Sequence, residues 1–348
     1  MPGQTLDILA LTSAEFAAAA ATRGAARPEA MAIYRAAFRE GVVGRSWVWW
    51  PEEPVGRVER EGGTTKFTLA AGDGLETESV ILPQRSRAGR TRNALCLSSQ
   101  IGCAMGCTFC ETGRMGLMKN LDAGRIVGQW RAARFALGTR VSNVVFMGMG
   151  EPMDNIEAVI RAIRVLADHN GPSIPASRIA VSTVGRIDGI ARLGALAREP
   201  GFRQLRLAVS LNAPNDEVRR SIMPINRSAP MGALMEAMRR WPSSNRLRIL
   251  IEYVLIPGVN DAPEHADELC AYLAPLACTV NVIPYNPIPG APWPAPGEAD
   301  VEAFIARVRA GGRLVKRRRT MGRSVMGACG QLGNPGVRRR KLFVPSAI

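Results

Sequence analysis

The chain has 348 residues and a formal net charge of +15, from 45 Lys and Arg against 30 Asp and Glu. That length suffices for one large domain with a small accessory one, and its apolar runs fall far short of the roughly 20 residues that cross a bilayer, which excludes a helical membrane protein. The N-terminus has no basic segment followed by an apolar run, so the expected location is the cytoplasm.

Residues 1–60 are rich in Ala and Arg with helical spacing, as in Phe16 with Ala20 and Met31 with Tyr34 and Phe38, and they end near the Trp-rich segment of Trp47, Trp49 and Trp50. This predicts a small helical accessory region with a role in RNA binding. Residues 61–92 form a lead-in: Thr65, Phe67 and Leu69, then Val80 and Leu82, alternate as in a hairpin, before a polar, Arg-rich turn over 84–92.

From residue 93, apolar runs of strand length alternate with helical patterns six times. Strands are expected near 93–98, 143–147, 178–183, 206–211, 249–255 and 279–284. Helices are expected near 121–137, 155–169, 187–198, 216–241 with a break at 224–230, 262–276 and 298–310. Repeated βα units imply an α/β fold with a parallel sheet. Six of them leave an eight-stranded barrel incomplete, so a partial (β/α)6 barrel over 93–312 is predicted, with its chemistry at the C-terminal ends of the strands.

The last segment, 313–348, is basic. After Glu302 there is no acidic residue and twelve basic ones follow, including the runs 316–319 and 338–341. Such one-sidedness favours a polyanionic partner such as RNA, although high-GC coding also inflates Arg. Arg125, Arg131 and Arg134 are further candidates for phosphate contacts, and the three tryptophans for base stacking, or equally for packing the accessory region onto the barrel.

Seven cysteines in a chain read as cytosolic argue for metal or redox chemistry over a disulfide framework. Cys103, Cys107 and Cys110 stand in the loop after the first barrel strand as Cys-x-x-x-Cys-x-x-Cys. Three thiolates so spaced suit three irons of a [4Fe-4S] cubane and leave the fourth iron open to a small molecule. Zinc would need a fourth protein ligand, and neither His169 nor His265 is near in sequence. Cys270 and Cys278 carry no motif and are assigned to packing.

This motif, with an aromatic before its third cysteine, resembles the signature of the radical S-adenosylmethionine (SAM) superfamily. Further segments occur in order: Cys96 to Cys103, Gly148 to Pro152, Ser182 to Gly185, Ser210 to Asp216, Pro284 to Pro287 and Ala328 to Leu332. Together they are similar to the RlmN/Cfr family of radical SAM RNA adenine methyltransferases, over residues 78–332.

The resemblance implies SAM contacts at Gly150, Glu151, Ser182, Ser210, Leu211, Asn212 and Asn286. It implies two SAM per turnover. One SAM methylates Cys329; a second, cleaved at the cluster, activates that methyl group for addition to adenine. Glu78 is implied as the acceptor of the ring proton, and Cys96 then releases the product by forming a disulfide with Cys329. An electron donor such as flavodoxin or ferredoxin and a thiol reductant are implied as partners.

The chain departs from the family at Asn212, where the family has His. Carbon-2 of a large-subunit ribosomal RNA adenine is the expected target, with transfer RNA a further substrate. The alternatives are carbon-8 methylation of ribosomal RNA, or an RNA-binding protein that keeps the fold without turnover.

Overall fold

The computed structural model describes residues 5–51, 54–85, 89, 91–244 and 247–337. The basic run at 338–341 and part of the polar turn at 84–92 therefore lie outside the described residues.

The N-terminal region is helical because a capping box starts it: the Thr12 hydroxyl accepts from Glu15 N, and the Glu15 carboxylate accepts from Thr12 N at 2.9 Å. Helix α1 (Ser13–Ala21) packs on α2 (Arg27–Glu40). Their apolar residues meet in an aromatic stack rather than displaying it. Trp47 stacks on Phe16 at 6.0 Å, and Trp50 meets Phe38 at 5.5 Å and Phe135 at 6.0 Å. Of the three tryptophans only Trp49 is strongly exposed. Arg131 lies over the Trp50 ring, so this contact and that of Trp50 with Phe135 knit the accessory region to the barrel, while Arg134 lies over the neighbouring Phe135 ring. Two short strands, β1 (Leu6–Asp7) and β2 (Val48–Trp49), pair in parallel at its edge.

A ten-stranded sheet forms the centre. Its first part is an antiparallel meander of β3 (Val55–Glu61), β4 (Thr64–Ala70) and β5 (Glu76–Arg85), which pairs with β6 (Thr91–Cys96). The lead-in is thus three strands rather than a hairpin, beginning ahead of residue 60. Gly62 and Gly63, both at positive φ, make the two-residue turn that starts it.

Beyond Cys96 the chain forms β7 (Gln100–Ile101), α3 (Glu111–Met115), β8 (Lys119–Asn120) and α4 (Ala123–Arg131). It then alternates: β9 (Val141–Phe146), α5 (Ile156–Ala167), β10 (Ile179–Thr183), α6 (Ile187–Leu196), β11 (Arg206–Ser210), α7 (Asp216–Ile222), α8 (Met231–Arg239), β12 (Ile249–Leu255), α9 (Pro263–Tyr272), β13 (Cys278–Pro284), α10 (Glu298–Ala310) and β14 (Val315–Arg317). Strands β6 and β9 to β14 run parallel in spatial sequence, and no pairing joins β14 back to β6. The result is an α/β partial barrel, with β14 as a seventh parallel strand beyond the expected six. That strand is three residues long and basic, too short for an apolar pattern to announce it. Among the described residues no helix is long and apolar enough to cross a membrane.

One continuous core runs from the accessory helices through the barrel. Phe38 is 2% exposed and touches Tyr34, Trp50 and Trp130. Phe38→Ala is expected to cost about 3–5 kcal/mol. Denaturant titration should show the loss as a shift of a single transition, since the cavity opens in a core that both regions share.

Candidate active site

The C-terminal ends of the parallel strands surround a cavity of about 970 Å³, mouth included, and the cysteine loop between β7 and α3 forms part of its wall. Cys103, Cys107 and Cys110 all line it. Backbone bonds set the loop: Cys103 N donates to Gly116 O at 3.0 Å, Thr108 N to Ile222 O at 3.0 Å and Cys110 N to Cys107 O at 3.2 Å. Gly102, at φ +71°, makes the approach; a Cβ there would lie 1.8 Å from Gly116 O.

Burial pushes all three thiols up, and for Cys103 and Cys107 a neighbouring cysteine sulfur adds to it. The fully buried Arg219 places a cation near Cys107 and donates to Leu211 O at 3.3 Å, Asn226 Oδ1 at 2.8 Å and Ala229 O at 3.2 Å. Among the described residues no group of Cys, His, Asp or Glu converges as the ligands of one metal ion do. A cubane, with its irons at separate corners, asks instead for sulfurs spread along one wall. The loop fits that demand.

Glu151 follows β9 and is buried. Its Oε1 accepts from Met153 N at 3.0 Å and its Oε2 from Val184 N at 2.9 Å, yet burial still pushes the carboxyl up to about 7. Gly150, at φ +101°, brings the backbone against Gln100, where a Cβ would come within 2.5 Å. Ser182 and Ser210, ending β10 and β11, point their hydroxyls into the cavity 3.3 Å apart.

Two expected ligand positions are otherwise engaged. Leu211 lies in the apolar core, since strand alternation turns it away from Ser210, and both its backbone groups are bonded within the fold. Asn212 lines the cavity, but its Oδ1 accepts from Val254 N at 2.9 Å and its Nδ2 approaches Met223 Sδ at 3.4 Å.

Asn286 meets the segment that carries Cys329, donating from Nδ2 to Cys329 O at 3.2 Å. The same segment docks on the cysteine loop through Glu111 N to Gly330 O at 2.8 Å, and through the Thr112 hydroxyl to Leu332 O. Cys329 is exposed toward the cavity it lines, whereas Cys96, at the end of β6, is buried. A smaller cavity is lined by both, with Cys110 and Arg318. Burial pushes the Cys96 thiol up to about 12, partly opposed by the Arg318 cation.

Glu78 is buried on β5. Its Oε2 accepts from Gly333 N at 2.9 Å, which ties it to the Cys329 segment, and Lys66 Nζ lies 3.2 Å from its Oε1. Burial raises its carboxyl, against the pull of Lys66.

Sequence reasoning missed Glu252 and Arg318. Glu252 Oε1 accepts from Asn281 at 2.8 Å, while its buried Oε2 finds no hydrogen-bond partner among the described residues and lies 3.7 Å from Arg318. One acidic residue inside the apolar strand Ile249–Leu255 was the available signal.

The radical SAM superfamily model matches residues 97–270. The chain is 43% identical over 291 residues to a probable dual-specificity RNA methyltransferase RlmN 1 of Protochlamydia amoebophila, covering 84% of this chain and 79% of that protein. It is 42% identical over 287 residues to the dual-specificity RNA methyltransferase RlmN of Phenylobacterium zucineum, covering 79% and 72%. A crystal structure of a radical SAM methyltransferase from Sphaerobacter thermophilus superimposes with a TM-score of 0.84 at 38% identity, covering 94% of this chain and 99% of the other.

Two outcomes follow from the geometry. Gly102→Ala should leave the protein folded but cut iron and sulfide bound after anaerobic reconstitution, because the Cβ displaces the turn that carries Cys103. The second concerns Glu151. Its folded carboxyl titrates at about 7 against an ordinary 4.5, so the folded state holds the extra proton. Its stability contribution is therefore complete below the ordinary value and lost as pH rises through the folded one. Glu78 and Glu252 shift in the same direction. Melting temperature of the ligand-free protein should fall between about pH 5 and pH 8, and Glu151→Gln should flatten part of that slope.

Proposed function

Because the chain belongs to the RlmN family of radical SAM RNA methyltransferases, we propose that it methylates carbon-2 of an adenine in large-subunit ribosomal RNA, and in transfer RNA, through a methyl relay on Cys329. The observation that carries this reading is the seating of the Cys329 segment: Gly330 bonded to Glu111 beside Cys110, and Asn286 bonded to Cys329 O. A methyl-carrying sulfur has to reach both the cluster side of the cavity and the substrate. The dual specificity in the relatives' names supports more than one RNA substrate.

Cys103, Cys107 and Cys110 would hold a [4Fe-4S] cluster, and Gly150, Glu151, Ser182 and Ser210, which line the same cavity, would bind SAM. A cluster with an open iron supplies one-electron cleavage of SAM, and so the hydrogen abstraction that makes a thioether methyl group reactive toward an sp2 carbon. The low-potential electron comes from a flavodoxin or ferredoxin.

The chain's own residues do the rest. The Cys329 sulfur accepts a methyl group and presents it in the cavity. Once its carbon is bonded to the adenine ring, Glu78 accepts the ring proton, and the adduct gives up its unpaired electron, for which the oxidised cluster would be the acceptor. The Cys96 thiolate then attacks the Cys329 sulfur: the electron pair of the bond from that sulfur to the transferred carbon leaves with the carbon, which takes up a proton to complete the methyl group, the S–S bond forms, and methylated RNA leaves. A thiol reductant returns the pair to two thiols. Arg318, set between the two sulfurs and Glu252, favours the negative charge that the attack develops.

The test is anaerobic reconstitution followed by mass spectrometry of nucleosides from treated RNA. The expected product is 2-methyladenosine. 8-Methyladenosine would move the target carbon, and neither product would overturn the activity. Cys329→Ala should abolish transfer while cluster absorption persists; surviving methylation would overturn the relay.

A further inference from the structure

Strand register puts a second charged group beside the proposed base. Across the meander Glu59 pairs with Lys66, Lys66 with Val80, and Val80 with Cys96. Side chains of directly paired residues share a face, and residues two apart on one strand share it too. Lys66, Glu78 and Cys96 therefore all stand on one side of the sheet, under the segment that carries Cys329. Gly333 N of that segment bonds Glu78, and a Cβ at Gly327 would sit 3.7 Å from Lys66 Cβ.

A lysine of an edge meander would ordinarily extend its ammonium into water, since burying a cation is costly unless it is paired. Lys66 is instead 6% exposed. Its Nζ lies 3.2 Å from Glu78 Oε1 and 3.7 Å from Glu59 Oε2. Among the described residues a further charged side chain acting on Glu78 is Arg57 of β3. Just beyond β6 the neutral Ser98 donates its hydroxyl to Glu78 O at 2.6 Å, and on β6 the Cys96 thiol stands opposite Val80, two residues along β5 from Glu78. Across Gly333, Glu111 is paired with Arg114 at 3.4 Å.

We propose that Lys66 is a positioning residue for methyl transfer: its ammonium binds one oxygen of the Glu78 carboxyl group while Gly333 N binds the other, so that a proton acceptor is held in place beside the Cys329 segment. This rests on the reading of Glu78 as the acceptor of the ring proton. The arrangement also answers a charge problem. When Glu78 takes the proton, the buried ammonium loses its partner, and the half-exposed Glu59 on its other side remains to balance it. The pair thus tolerates both protonation states of Glu78.

The test compares K66M, K66R, K66A and E78Q as reconstituted holoenzymes. K66M should slow methylation at neutral pH by about ten-fold or more and move the acidic limb of the pH–rate profile to higher pH, since an unassisted buried carboxyl holds its proton longer. KM for RNA should stay within about two-fold, because Lys66 touches no substrate. With proton removal slowed, enzyme joined to RNA through Cys329 should accumulate on denaturing gels, a readout that general loosening of the fold would not produce. K66R should restore much of the rate, and an alkylammonium such as ethylammonium should rescue K66A.

A K66M enzyme with an unchanged pH profile and no adduct overturns the role of Lys66, while inactive E78Q leaves the base in place. An active E78Q overturns the reading of Glu78 itself. If K66M does not fold, K66R and rescued K66A decide: activity restored by either supports the proposal, and inactivity of both in folded protein overturns it.

Discussion

The site depends on a stretch of chain with almost no regular structure. Between β14 and residue 337 the backbone forms only turns and one short 3-10 turn, yet it carries Cys329. Its polar groups cannot be left unpaired against a protein wall, and the partners they find set its position. Gly330 O and Leu332 O are taken by the two residues after Cys110, Cys329 O by Asn286, and Gly333 N by Glu78. Gln331 reaches Pro287 O at 3.0 Å. Cluster loop, last long barrel strand and meander thus hold the same few residues, and a shift in any one of them moves the sulfur.

The second constraint is charge. Lys66, Glu78, Glu151, Arg219 and Glu252 are all buried on the site side of the sheet or at its strand ends. Each is compensated differently: Lys66 and Glu78 by one another, Glu151 by two backbone N–H groups, Arg219 by carbonyls and an amide. Glu252 is the incomplete one, with an oxygen left facing Arg318. Groups that break the apolar-inside pattern concentrate where function is carried: here Glu151 and Glu252 line the cavity, Arg219 lies near Cys107 in its wall, and Lys66 and Glu78 lie beneath the segment that carries Cys329. Around them lie the main apolar core and a smaller apolar cluster beside the cysteine loop, which supply the stability that these charges do not.

Much of this was legible in the sequence. The six apolar runs named the barrel strands because parallel strands are buried on both faces and read as continuous apolar segments. The cysteine spacing was legible because it is local. What escaped was non-local or short. Three-residue β14 lies inside a basic run, and α3 has only five residues. Lys66 lies between Thr65 and Phe67 of the alternating pattern without itself being singled out, and only its pairing partners reveal that its face is covered. In sequence Trp47 and Trp50 fit packing as well as base stacking; in the fold Phe16 of α1, Phe38 of α2 and Phe135 beyond α4 surround them.

Asn212 shows how a departure in sequence is absorbed. The residue sits at φ +56°, a left-handed conformation in which Asn is favoured over most side chains. It ends the turn after β11, where the chain leaves the strand before α7. Its Oδ1 takes Val254 N, and its own carbonyl takes the Asn260 side chain at 2.7 Å, which in turn receives Ile256 N at 2.7 Å. The amide therefore stitches the ends of β11 and β12, the two strands that carry Ser210 and Glu252. A side chain engaged in that stitching acts on the cavity through the placement of its neighbours, and the polar groups on this wall that line the cavity include the Ser210 hydroxyl and the Glu252 carboxyl paired with Arg318.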